Sequence, residues 1–337
     1  MNPQQLSSEL PVPTGQARPS CVLLLGATGT IGQATLRALV SQGHDVVCLG
    51  RHRAPVPDAL VSRVHQVLGD LRQDSVWQRV MSEHPVSVIV SCLASRNGVP
   101  ADAWAVDHDL HVRALQAAQA ARVQHMVLLS ALCVQKPRLA FQQAKLAFER
   151  QLMESTIRYS IVRPTAFFKS LSGQVERVRR GRSFMVFGDG RLTACKPIGD
   201  DDLGQFLAQC ISQPQRWDQI LPIGGPGPAI TPLDQAQMLS ELLGRHVRIK
   251  RVPLWVMDLV VNALGMASRV IPALKTAAEL ARIGRYYAGE SMLVWDATSQ
   301  RYDEQATPSA GHQRLRDHYA DLLAGRTTHD SGEHAVF

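Results

Sequence analysis

The sequence predicts an α/β fold: a doubly wound parallel Rossmann sheet followed by a smaller mixed C-terminal region for substrate binding. Three observations predict it. Cys21–Leu25 is a continuous apolar run, as expected of a strand buried on both faces. Gly26, Gly29 and Gly32 follow it directly and open a helical stretch. Short apolar runs then alternate with helical stretches as far as Val162, the pattern of βαβ units joined by right-handed crossovers.

Taken in order, the first helix runs to about Val40 and ends at Gly43, where a left-handed residue is wanted. Residues 46–49 and 64–68 read as the second and third strands, 73–82 as a helix and 86–92 as the fourth strand. A helix over 106–121 leads to a strand at 126–129, a helix at 141–153 and a sixth strand at 159–162. Pro164 lacks an N–H and is expected to stop the ladder, opening the chain toward a crevice. Beyond it the pattern is irregular: a strand at 184–187, a helix at 200–210 with acidic residues in its first turn, and a strand at 219–223. Thr231 and Pro232 start a helix as N-cap and first residue. A strand at 246–251 and helices at 254–267 and 272–283 follow. The expected division is a disordered tail over 1–19, a dinucleotide domain over 20–165, a substrate region over 166–324 with strands free to rejoin the sheet, and a flexible tail over 325–337.

With 337 residues, 45% apolar and 19% charged, the chain has an ordinary globular composition. Its net charge of +7 is scattered, and the densest cluster, Arg177, Arg179, Arg180 and Arg182, reads as a solvated helix face. No zinc-finger spacing or aromatic–basic motif accompanies it, so nucleic acid is not an expected partner. Six cysteines without a CxxC pair argue against a zinc or dithiol site and fit a reduced, cytoplasmic protein; no metal site is expected. The polar, Pro-rich first twenty residues lack the apolar core of a signal peptide. Residues 252–271 are apolar, but Pro253, Asp258, Asn262 and Arg269 interrupt them. A charge at mid-span costs about 2.5–3.5 kcal/mol, so a buried or surface-seeking helix is the better reading, with peripheral membrane contact open.

The glycine loop allows a tight turn and close backbone approach to a pyrophosphate, which the helix N-terminus attracts. Gly26, Thr28, Gly29, Thr30, Ile31 and Gly32 are therefore expected to bind a dinucleotide. Arg51 and Arg53 stand where an NAD site places an acid, and suit the 2′-phosphate of NADPH. By position, Asp70 follows the third strand beside the adenine, and Ser91, Cys92 and Leu93 close the fourth at the cofactor's edge. Ser130, Pro164 and Thr165 end the next two strands beside the nicotinamide. Lys145 lies on the helix between them, four residues after Phe141.

That last spacing resembles the catalytic segment of the short-chain dehydrogenases, which place a tyrosine where this chain has Phe141. A phenylalanine cannot exchange a proton, so ordinary alcohol–ketone chemistry is not expected. The segments SCLASR (91–96), LLSALCVQKP (128–137), FQQAKLAFE (141–149), YSIVRPTAFFKSL (159–171), FGDGRLTACKPI (187–198), LPIGGPG (221–227) and IGRYYAGESML (283–293) are similar to those of the divinyl chlorophyllide 8-vinyl-reductases, an atypical NADPH-dependent branch. The likeness runs from about residue 20 to 310. It implies that Phe141 is a family feature, that NADPH is the cofactor, and that the substrate is a magnesium tetrapyrrole whose vinyl group becomes ethyl.

On that resemblance, the macrocycle disperses the charge left after hydride delivery, and the protein chiefly orients the vinyl group. Lys145 is expected to hold the nicotinamide ribose. Tyr286 and Tyr287 are candidate proton donors, with water, Cys133 and Lys145 as alternatives. Phe141, Phe167 and Phe168 are expected to face the flat ring, and Lys169, Arg177 or Arg179 its carboxylate. Trp255 reads as core packing. Two rivals remain open: a redox-sensing NADP-binding regulator on the same fold, and a reductase of another conjugated alkene. The oligomeric state is not legible.

Overall fold

The computed structural model describes residues 19–327; of the two expected tails, 1–18 and 328–337 lie outside the described residues. β1 (Cys21–Leu25), α1 (Thr30–Ser41), β2 (Asp45–Gly50), β3 (Val64–Leu68), α2 (Asp74–Glu83) and β4 (Val86–Ser91) come first. α3 (Pro100–Ala103) then runs through a π-helical turn, Trp104–Asp109, into α4 (Leu110–Ala120). β5 (His125–Leu129), α5 (Ala140–Met153) and β6 (Arg158–Pro164) follow, then short α6 (Phe168–Leu171) and α7 (Val175–Arg179). The remainder comprises β7 (Phe184–Phe187), α8 (Asp200–Gln209), β8 (Gln219–Ile223), α9 (Pro232–Leu243), β9 (Ile249–Val252), α10 (Leu254–Val270), α11 (Lys275–Tyr287), β10 (Val294–Asp296), β11 (Arg301–Asp303) and α12 (Leu315–Leu323).

Seven strands form one parallel sheet in the order β3-β2-β1-β4-β5-β6-β8. Strand order reverses between β1 and β4, so a crevice lies beyond their C-terminal ends. β7 pairs with β9 in parallel, and β10 with β11 in an antiparallel hairpin. The continuous apolar run of β1 has a simple cause. Val22 and Leu24 face the core under α1 and α8, while Leu23 and Leu25 face the core under α2, α4 and α5. A third core under α9 and α12 joins Phe168, Val175, Val178, Phe184, Leu239 and Tyr319.

Element types follow the sequence reading closely, including the Thr231 cap, whose hydroxyl accepts from the Asp234 N–H. Three points differ. Pro164 does not stop the ladder: it pairs with Ile223, and Thr165 donates onward to the Ile223 carbonyl at 2.9 Å. Thr165 faces β8 and Val162 faces β5, where it accepts from the Ser130 N–H. By alternation the missing Pro164 N–H points to the β5 side, and the β6–β8 pairing loses no donor. Trp255 is not core packing but 65% exposed. The β10–β11 hairpin and α12 were not expected; the two strands, of three residues each, carry too little periodicity to read.

α1 and α8 approach closely at Gly204. A Cβ there would lie 2.6 Å from the Ala34 carbonyl carbon. Gly204→Ala must therefore push the two helices apart, and is expected to cost about 1–3 kcal/mol in chemical denaturation. An unchanged unfolding midpoint would contradict this packing.

Candidate active site

The glycine loop closes as a tight turn in which the Gly29 N–H meets the Gly26 carbonyl at 3.1 Å. Gly26 has φ of +79°, and a Cβ there would lie 2.7 Å from the Cys92 backbone at the end of β4. At Gly32 a Cβ would fall 2.0 Å from the Gly26 carbonyl oxygen. Both positions exclude any side chain. α1 has neither a side-chain cap nor an acid in its first turn, so its leading N–H groups and positive dipole end are left for an anion. Thr28 and Thr30 are exposed at that terminus. Arg51 and Arg53 are exposed just after β2. Asp70 lies near Arg51, but its carboxylate is held by Arg72, whose bonds keep it below the usual carboxylate range. A compact anion-binding turn with cations beyond the second strand fits a phosphorylated dinucleotide.

Thr28 and Thr30 also border a cavity of about 420 Å³, whose other walls include Arg37, Phe168, Asp200, Asp201 and His318. Burial and then the neighbouring Asp201 push Asp200 up to about 6. Lys169 is close enough to oppose that rise. Phe168 is largely buried in the third core, and Phe167 packs against the first.

The other group of expected residues gathers around α5. Phe141, Lys145 and Glu149 are spaced by four and share one side of the helix. The Lys145 ammonium meets buried Asp107 at 2.9 Å. Asp107 comes from the π-helical turn, a feature frequent at functional sites. Its Oδ1 also accepts from the Ser95 N–H at 3.3 Å, whereas Oδ2 has no partner among the described residues. Glu149, fully buried, accepts from both Ser130 and Arg163. The Ser130 hydroxyl and the Arg163 guanidinium therefore point into the α5–β6 seam. Ser91 behaves alike: its hydroxyl pairs with His111 Nε2 at 2.8 Å, so only its backbone borders the crevice. Burial and then the Lys145 charge push His111 down to about 4, keeping it neutral. The Thr165 hydroxyl is bonded to the Lys196 carbonyl.

Around Phe141 lies a small apolar cluster of Cys133, Leu139, Ile283, Tyr286, Tyr287 and Met292. The two tyrosines, stacked edge to face at 5.4 Å, differ sharply. Tyr286 is buried and donates to the Cys133 carbonyl at 2.9 Å, with the Lys136 carbonyl at 3.1 Å. Tyr287 is half-buried, and its hydroxyl meets the Cys133 thiol at 3.6 Å, a weak acceptor. Burial raises the pKa of both phenols and of the thiol. Arg177 and Arg179 lie elsewhere, donating to the Ser183 carbonyl and to Glu176. Asp107, His111 and Glu149 were missed by sequence reasoning. Their one signal, acids and a histidine within otherwise apolar helix faces, is too common to single them out.

Residues 26–214 match the model of a family described as NAD(P)H-binding. The chain is 45% identical over 331 residues to a chloroplastic divinyl chlorophyllide a 8-vinyl-reductase of Oryza sativa subsp. indica, covering 94% of this chain and 82% of that protein. It is 41% identical to the Zea mays protein of the same name, covering 97% and 87%. Among solved structures it resembles the NADPH-dependent quinone oxidoreductase QOR2 of Escherichia coli complexed with NADPH, with a TM-score of 0.64 at 16% identity, covering 90% and 99%. That last likeness concerns the fold alone.

Two outcomes are expected. Asp107→Asn leaves the buried Lys145 cation without its partner and should lose about 3–5 kcal/mol of stability. Adding Lys145→Met should recover most of it; a double variant as unstable as the single one would refute the pairing. Asp200, whose pKa lies above its ordinary value in the fold, favours folding below about pH 4 and loses that contribution as pH rises through about 6. Asp200→Asn should therefore raise the melting temperature near pH 8 and leave it unchanged near pH 4.

Proposed function

The chain belongs to the divinyl chlorophyllide a 8-vinyl-reductases, and we propose that it reduces the 8-vinyl group of a divinyl chlorophyllide to ethyl with NADPH. One observation carries the reading: Phe141 stands one helical turn before Lys145 in an apolar cluster, so the site keeps a cation but lacks the acid that carbonyl reduction requires there. Alkene reduction forms no alkoxide and needs no phenol at that place. NADPH, when bound, supplies the hydride. Gly26, Thr28, Gly29, Thr30, Ile31 and Gly32 hold its pyrophosphate, and Arg51 and Arg53 its 2′-phosphate. Asp70 and the backbone of Ser91, Cys92 and Leu93 border the adenosine side, and Pro164 and Thr165 the nicotinamide side.

Lys145 gives one N–H to Asp107 and keeps its other donors for the nicotinamide ribose. Its positive potential favours the charge that develops on the macrocycle. Phe141 and the Tyr287 ring offer flat apolar surface to the pigment, and Lys169 a cation to its carboxylate. The magnesium belongs to the substrate.

A proton must then reach the carbon next to the ring. Tyr287 is the better-placed donor. The Tyr286 proton is held by backbone carbonyls, whereas the Tyr287 hydroxyl rests on a thiol that competes weakly for it. The Tyr287 O–H bond breaks as the new C–H bond forms, and solvent restores the phenol.

Incubation of the pure protein with NADPH and divinyl chlorophyllide should shift the Soret band to the blue while consuming one NADPH per vinyl group. Pigment binding without turnover would overturn the reading. Tyr287→Phe should lower kcat by about 100-fold or more at unchanged KM for NADPH. Tyr286→Phe should chiefly lower the melting temperature. Equal kcat losses in the two variants would remove Tyr287 as the donor.

A further inference from the structure

α10 turns its apolar side outward. None of its residues is buried. Trp255, Leu259, Met266 and Val270 are exposed by 65%, 61%, 65% and 83%. With exposed Ala263 they are spaced by four, four, three and four residues, a single stripe along the helix. In a helix that packs on a core such a stripe faces inward. Here α10 rests on α11, where Arg285 holds Asp258, the one acid of α10, at 2.6 Å. Cations stand at both ends: exposed Lys250 and Arg251 before the helix, Arg269 in its last turn and Lys275 just after it. Among the described residues none of these four is paired with a carboxylate.

We propose that α10 lies in the plane of an anionic lipid surface, its stripe among the acyl chains and its four cations at headgroup level. Apolar stripe and flanking cations together are the recognition chemistry of such a surface. No helix among the described residues is long and apolar enough to cross a membrane. α10, with 17 residues, spans only about 25 Å against a hydrocarbon core of about 30 Å, which suits an in-plane helix. The anchor is continuous with the candidate site. α11 packs along α10 and carries Ile283, Tyr286 and Tyr287 into the Phe141 cluster. Because α11 lies alongside α10, with Arg285 bonded to Asp258, its tyrosine-bearing end sits about one interhelix spacing, roughly 8–10 Å, from α10. A flat apolar substrate held in lipid would thus meet the site close to the surface. That last step rests on the proposed pigment substrate; lipid binding does not.

The test is flotation of the full chain, without NADPH or pigment, on vesicles of phosphatidylcholine alone and of phosphatidylcholine with phosphatidylglycerol. The protein should float with the anionic vesicles and be released as salt rises, each cation contributing about fivefold in affinity. The double variant Leu259→Glu/Met266→Glu should lose vesicle binding by about 100-fold or more. It should still turn over detergent-dispersed pigment at the parent rate, which separates failure of the anchor from failure of the reductase reading. Equal recovery with and without vesicles, or a double variant that floats like the parent, would overturn the proposal. So would light scattering that finds a dimer dissociated by the double variant, since a second copy would then cover the stripe.

Discussion

Two buried ion pairs on one side of α5 govern the site. Lys145 is tied to Asp107 of the π-helical turn, and Glu149, one turn further on, to Arg163 of β6. Each pair joins groups that would be costly to bury alone, so neither partner can leave without stranding a charge. Together they fix α5 between the α3–α4 connection on one side and the sheet on the other. Phe141, on the same side of the helix, is thereby set at a defined height beside Lys145. Ser130 is drawn into the second pair through its hydroxyl, which removes it from the crevice. The serine expected beside the nicotinamide and the lysine expected at its ribose thus belong to two separate charge networks.

The C-terminal half completes the site by clamping the turn before α5. Gln135 bonds the Leu293 carbonyl and the Trp295 N–H, and Lys136 pairs with Glu290 beneath the Trp295 ring. Arg138 adds a second bond to Glu290. Gln142, from the first turn of α5, accepts from the Arg138 and Leu139 N–H groups. The bonds to Leu293, Trp295 and Glu290 join residues more than 150 positions apart. With the Gln142 turn they hold Cys133 where both tyrosines of α11 reach it, one at its carbonyl and one at its thiol. The site is therefore not the property of a dinucleotide domain alone.

Much of this was legible beforehand, and the reason differs by element. The glycine loop could be read because its constraints are local: a Cβ at Gly32 collides within the same turn. Parallel strands could be read because both faces are buried, which demands unbroken apolar runs. Ser91, Ser130 and Thr165 were legible as positions at strand ends but not as side chains. Strand alternation decides which way a hydroxyl points, and a one-residue difference moves it from crevice to core. The outward stripe of α10 was ambiguous for a related cause. Periodicity reveals that a helix has an apolar side, but not what that side faces.

The sequence by itself determined the α/β class, the tight glycine turn after the first strand, the cations beyond the second strand and the absence of a hydroxyl at Phe141. All of these depend on residue type and near-neighbour geometry. Only the tertiary structure decided that Asp107 is the partner of Lys145, that Glu149 captures Ser130, and that Tyr286 and Tyr287 differ in what their hydroxyls meet. Those outcomes depend on distance between elements remote in the chain and on burial, which sets the cost of an unpaired polar group. Neither quantity is written in local sequence.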